Sequence, residues 1–106
     1  MSVVFSPESE GYLYETIEIL YKLEYFGHKE SAVKYVIDLA HEIRDTLPNC
    51  LKKQAPAYFE RYGKGMYYSV FKKNNNTSWY VFFNHEDGIY YIRYIGNNHT
   101  CSHYLP

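Results

Sequence analysis

The apolar residues of this chain keep two rhythms, and the change from one to the other comes once. Up to residue 47 they recur at three and four positions. From residue 66 onward they form short runs of β-branched and aromatic side chains divided by turn residues. A three-to-four spacing makes one apolar face on a helix, and short β-branched runs suit a pleated, half-buried strand. Helices followed by consecutive strands give an α+β fold.

The first half divides into a strand and two helices. Val3-Val4-Phe5 is a short β-type run, and Ser6-Pro7-Glu8 starts a helix. The hydroxyl serves as N-cap, the proline occupies a position where an N–H is dispensable, and the acid faces the positive helix end. From there to Phe26, Leu13, Ile17, Leu20 and Tyr21 share a face widened by Ile19 and Leu23, with Glu15, Glu18 and Lys22 opposite. Gly27 supplies the stop. Val33, Val36, Ile37, Ala40, Ile43 and Leu47 mark a second helix over about 29–47, ended by Pro48. The tight Gly27-His28 connection predicts an antiparallel helix hairpin with an acidic outer surface.

After a loop through Cys50, Pro56 and Gly63, three strands are predicted over 66–73, 78–83 and 89–95, joined by turns at 74–77 and 86–88. The order is therefore β-α-α-β-β-β, an antiparallel meander with the helix hairpin on one face and the other face left open. Arg93 lies in the last strand, where burying an unpaired guanidinium would be costly. Strict alternation then turns Ile89, Tyr91 and Arg93 away from the helices and Tyr90, Ile92 and Tyr94 toward them; a structural pairing of Arg93 with Glu86 is the alternative. Tyr12, Tyr21 and Tyr35 are expected beneath the sheet with their hydroxyls at its edge.

Charge follows the same division. Residues 1–47 hold four basic side chains against nine acidic ones, and residues 48–106 hold seven against three. The net charge of −1 therefore conceals an acidic helical half and a basic half that carries the single Trp, most of the aromatic residues and three of the five His. A basic aromatic surface suits a polyanion with stackable bases, whereas a solvated acidic helical face is the simpler account of the first half. At 106 residues the chain makes one domain. It lacks a run of ~20 apolar residues and a basic, then apolar, leader, so a cytoplasmic protein without a membrane partner is expected. Cys50 and Cys101 are expected as reduced thiols.

The element order, and the ending in which a strand closes on Gly96 and runs through Asn97, Asn98, His99, Thr100, Cys101, Ser102, His103 and Tyr104, resemble the RelE/ParE superfamily of bacterial toxins. The resemblance implies a toxin of a type II toxin–antitoxin pair, neutralised by a cognate antitoxin. RelE-like members cleave mRNA on the ribosome, and ParE-like members inhibit DNA gyrase by protein contact. This chain departs from the nuclease members: Trp79–Phe83 has no basic residue, and Asn98, His99 and Thr100 stand where arginines are common. An inactive relative is a third possibility.

Metal-independent RNA cleavage needs a base for the 2′-hydroxyl, an acid for the leaving 5′-oxygen and cations for the phosphorane charge, and it calls for no cofactor. His99, Tyr104 and Arg93 are the candidate catalytic residues, expected on one rim beside the carboxyl end, with Arg61, Lys64, Lys72 and His103 as phosphate contacts. In an extended tail His99, Cys101 and His103 would share a side, but a zinc site would want a fourth ligand, so no metal is expected. His28, His41 and His85 are read as structural.

Overall fold

The computed structural model describes residues 2–22 and 27–105, with the Asn74 side chain excepted. The expected end of the first helix, with Leu23, lies outside the described residues. The fold is α+β. Strand β1 (Ser2–Phe5) leads into helices α1 (Pro7–Lys22) and α2 (Lys29–Thr46), followed by the short strand β2 (Lys53–Gln54). A 3-10 turn at Ala57–Arg61 precedes the meander β3 (Tyr67–Asn74), β4 (Thr77–Glu86) and β5 (Ile89–Asn97), and the chain turns back through α3 (Asn98–Cys101).

The sheet has five strands in the order β1-β5-β4-β3-β2. It is mixed, because β1 lies parallel to β5 from Ser2↔Ile89 to Phe5↔Ile92, while the other pairs are antiparallel. The parallel pair places the first strand beside the last, with the helix hairpin and the strands β2 to β4 all lying between them in the chain.

Ser6 joins these parts. Its N–H donates to the Ile92 carbonyl at 3.0 Å, extending the β1–β5 ladder, and its Oγ accepts from the Ser9 N–H at 3.0 Å. Ser9 returns its hydroxyl to the Ser6 carbonyl at 2.9 Å, and both serines are buried. The predicted N-cap is therefore also the hinge between sheet and helix.

On the helix-covered face, Ala32, Val36, Leu39, Ile43 and Leu47 of α2 and the turn after it are buried. Leu39, Ile43 and Leu47 pack with Phe71, Trp79, Val81, Phe83, Tyr90, Ile92 and Ile95 of the sheet. The buried stripe is rotated by about one position from the predicted one. Val33, Ile37 and Ala40 flank it and line shallow grooves on the hairpin surface, two of them against α1. Tyr35 meets the expectation: its hydroxyl accepts from Trp79 Nε1 at 3.0 Å. Tyr21 does not, being 42% exposed, since α1 reaches the core mainly through Leu13. Glu18–Lys29 at 2.6 Å ties α1 to α2, and a Lys73–Glu42 ion pair ties β3 to α2.

The second face is not open, which corrects the sequence reading. Tyr68 of β3 and Phe82 of β4 point to it and are buried with Phe59, Met66 and Cys101, while Tyr58, Tyr62, Tyr80, Tyr94 and Leu105 pack around them. The 3-10 turn at Ala57–Arg61 and the C-terminal segment supply this second layer, leaving Val70 and Lys72 exposed at one end. Tyr94 belongs to this cluster rather than to the core beneath α2, and Tyr12 of α1 meets it edge-on. The reason is a bulge: Phe83 pairs with Ile92 and Phe82 with Tyr94, so Arg93 has no partner on β4. One unpaired residue reverses the facing of everything after it.

Replacing Ser6 with Ala removes the cap and leaves the Ser9 N–H buried without its acceptor. We expect a loss of roughly 1–2 kcal/mol in urea unfolding, against little change for Ser2→Ala at the exposed strand start.

Candidate functional site

The segment Tyr58–Lys64 brings basic and aromatic side chains together over the second face. The Arg61 guanidinium lies 3.8 Å from the centre of the Tyr58 ring, with its Nε donating to the Tyr58 carbonyl at 3.0 Å. Tyr104 stacks on the same ring at 3.5 Å and 7°. Two groups that close to one ring occupy opposite faces, so Arg61, Tyr58 and Tyr104 form three layers. A hydrogen bond with Tyr104, the largest cause, raises the Tyr58 hydroxyl above its ordinary pKa. Arg61, His103 and Tyr104 are exposed, and the His103 ring lies edge-on to Tyr104 at 6.4 Å. Farther along, Tyr62 stacks on Tyr94 at 3.9 Å and 4°.

At the end of this segment, Arg93 enters an open cavity of about 700 Å³ beside the β4–β5 hairpin. Its Nε donates to Asn84 Oδ1 at 3.1 Å, Asn84 Nδ2 donates to the Lys64 carbonyl at 2.8 Å, and its guanidinium lies 4.8 Å from the Tyr91 ring centre. The partner of Arg93 is thus Asn84, and the pairing considered with Glu86 does not form. A Cβ on Gly63 would stand in ordinary contact with the Arg93 stem at 3.5 Å and crowd Met66 Sδ at 3.2 Å, so the loop lies close over the arginine. Across the hairpin, Asp87 and Gly88 take positive φ values of 52° and 77°, the left-handed pair that a two-residue turn between Glu86 and Ile89 requires.

The C-terminal segment is helical rather than extended. Asn97 Oδ1 accepts from the N–H groups of His99 and Thr100 at 2.9 and 3.1 Å, and Thr100 Oγ1 accepts from the Asn97 N–H at 3.1 Å. This reciprocal cap turns the chain back onto β4, where Asn98 Oδ1 accepts from the Ser78 N–H. A Cβ on Gly96 would lie 2.5 Å from Cys101 Sγ, so the fold-back needs glycine there. Cys101 is fully buried while His99 and His103 are exposed, so the three alternating donors do not share a side. Among the described residues no group of three or more His, Cys, Asp or Glu is arranged to hold a metal. Cys50 and Cys101 are free thiols, and burial raises the Cys101 pKa.

The residues selected from sequence therefore fall into separate places. Arg61, His103 and Tyr104 gather around Tyr58, and Lys64 and Arg93 share the cavity by the hairpin. His99 sits on α3, separated from Arg93 by the last four residues of β5, about 13 Å of strand. Lys72 stands alone near the β3–β4 turn. Sequence alone does not single out Tyr58, the ring that organises the first group, or Asn84, which orients Arg93. The spacing of Tyr58 and Arg61, one turn apart in the 3-10 segment, was the available signal for the first. No family model matches the chain, and no curated protein or solved structure matches it.

Burial raises the pKa of Tyr94 and also, to a smaller effect, that of Tyr12, which meets Tyr94 edge-on at 4.8 Å; the ordinary value is 10.0. The folded state then holds these protons more tightly than the unfolded chain. Their contribution to stability is complete below pH 10 and is lost as pH rises through the raised values. Denaturant midpoints measured up the alkaline range should fall above that point, and Tyr94→Phe should make the fall shallower.

Proposed function

We propose that this protein is a RelE/ParE-like toxin of a toxin–antitoxin pair, acting as a ribosome-dependent mRNA endoribonuclease and held inactive by a cognate antitoxin. The observation that carries the reading is the Arg61–Tyr58–Tyr104 stack with His103 beside it, exposed on the sheet face away from the hairpin. Aromatic rings backed by a cation suit single-stranded RNA, whose bases stack for about 1–3 kcal/mol each. The β-α-α-β-β-β order, with short additions at β2 and α3, supports the family resemblance.

In this reading the 2′-oxygen attacks phosphorus and the 5′-oxygen leaves. The proton removed from the first is delivered to the second, His103 being the carrier. Arg61 meets the charge on the phosphorane, and Tyr104 stacks a neighbouring base. Lys64 and Arg93 lie along the path of the backbone, and His99 stands outside it.

A second reading, a ParE-like inhibitor that acts on DNA gyrase by contact, draws support from the hairpin. Phe5, Leu13, Tyr14, Ile17, Val36 and Ile37 line an apolar groove there, and Tyr14 and Ile37 are exposed. Induced expression with primer extension on total RNA separates the two. The nuclease reading expects growth arrest and new 5′ ends that Arg61→Ala and His103→Ala each reduce by about 10²-fold or more, with His99→Ala close to wild type and circular dichroism unchanged. The contact reading expects arrest without new ends, relieved by Tyr14→Asp or Ile37→Asp. Neither arrest nor new ends would remove both.

A further inference from the structure

The cavity beside the β4–β5 hairpin has more built into it than a path for the RNA backbone needs. We propose that it is a nucleotide-binding subsite, in which Arg93 and Lys64 take a phosphate and the carboxylates of Glu86 and Asp87 read a base that presents paired N–H donors, guanine before uracil. The inference rests on the RNA reading for its place in a reaction, but the site stands on its own geometry.

Three observations support it. The cavity, about 700 Å³ and lined by Lys64, Asn84, Glu86, Asp87, Tyr91 and Arg93, has the size of a small-ligand site. Its guanidinium is held in place before any ligand arrives. Asn84 binds Nε and is itself held by the Lys64 carbonyl, the guanidinium lies over the Tyr91 ring at 4.8 Å from its centre, and the β5 bulge leaves Arg93 without a strand partner. Neither acid neutralises the cations, because the ion pairs among the described residues lie elsewhere.

Opposite charges that line one cavity without closing on each other suit a ligand carrying both an anion and hydrogen-bond donors. Among the described residues no ion pair takes the guanidinium, so its two terminal nitrogens can meet two phosphate oxygens while Nε stays on Asn84. A carboxylate accepts in parallel from guanine N1–H and N2–H, whereas uracil offers a single N–H. Inorganic phosphate satisfies only half of such a site.

The test titrates guanosine 5′-monophosphate, uridine 5′-monophosphate and inorganic phosphate into the intact protein, followed by amide chemical shifts. We expect perturbations at Gly65, Asn84, Tyr91 and Arg93, with guanosine monophosphate bound at least about fivefold more tightly than uridine monophosphate. Arg93→Ala should weaken both nucleotides about tenfold. Arg93→Lys, which keeps the charge and the fold, should recover only part of that loss. Glu86→Gln with Asp87→Asn should erase the preference while retaining phosphate. Shifts elsewhere, equal affinity for both nucleotides, or binding unchanged in Arg93→Ala would overturn the inference. Nucleotide binding without RNA cleavage would leave this site standing and remove the nuclease reading; cleavage without nucleotide binding here would do the reverse.

Discussion

The extra residue at Arg93 is the constraint on which the rest of this molecule depends. Before it, β5 sends Tyr90 and Ile92 to the helix side, and after it Ile95 returns to that side while Tyr94 goes to the other. A regular strand would bury Arg93 or Tyr94 in the wrong layer. With the bulge, one strand serves two cores, and the guanidinium that belongs to neither is left exposed at the surface, held by Asn84 and lying over the Tyr91 ring. Bulges next to sites that must aim a side chain are a general feature of sheets.

The second core depends on the chain's return past β5. Gly96 removes the one Cβ that would meet Cys101, Asn97 and Thr100 cap each other, and Cys101 then fills the space against Phe82 and Phe59. Only when that closure is made can Tyr104 reach Tyr58. The basic aromatic surface is thus a product of packing: Phe59 anchors the segment from below, Tyr58 packs edge-on beside it, and Arg61 and Tyr104 cover the two faces of the Tyr58 ring. The acidic hairpin on the opposite face has the contrary character, with exposed apolar side chains between its charges.

Much of the fold was legible because local chemistry agreed with the global answer. Ser6-Pro7 announced a helix start, Pro48 its neighbour's end, and Asp87-Gly88 a tight hairpin, each for a reason that needs no tertiary contact. What alternation could not reveal was the bulge, since a strand with one unpaired residue has the same composition as a regular one. Alternation therefore puts Tyr94 in the wrong layer, and the segments that cover the second face, around Phe59 and Cys101, carry no strand or long-helix pattern to announce them. The stripe of α2 is less legible from period alone: Ile37 and Val33 look like core, yet Leu39 packs on the sheet residues and Ala32 is buried in their place. At the site, individual residues were legible as chemistry, but their grouping was not. Arg61, His103 and Tyr104 are brought together by Tyr58, whose partner lies 46 positions later in the chain, and no local pattern encodes that.

The most direct test of the two-core account is a set of through-space proton contacts in solution, measured on the intact chain with aromatic side chains assigned. The Tyr94 ring should show contacts to Tyr62 and Phe82, while the adjacent Ile95 methyls show contacts to Val81 on the helix-covered face. Contacts from Tyr94 to Leu39 or Ile43 of α2, with Ile95 turned to the tyrosine cluster, would mean that β5 runs without its bulge and would contradict the account.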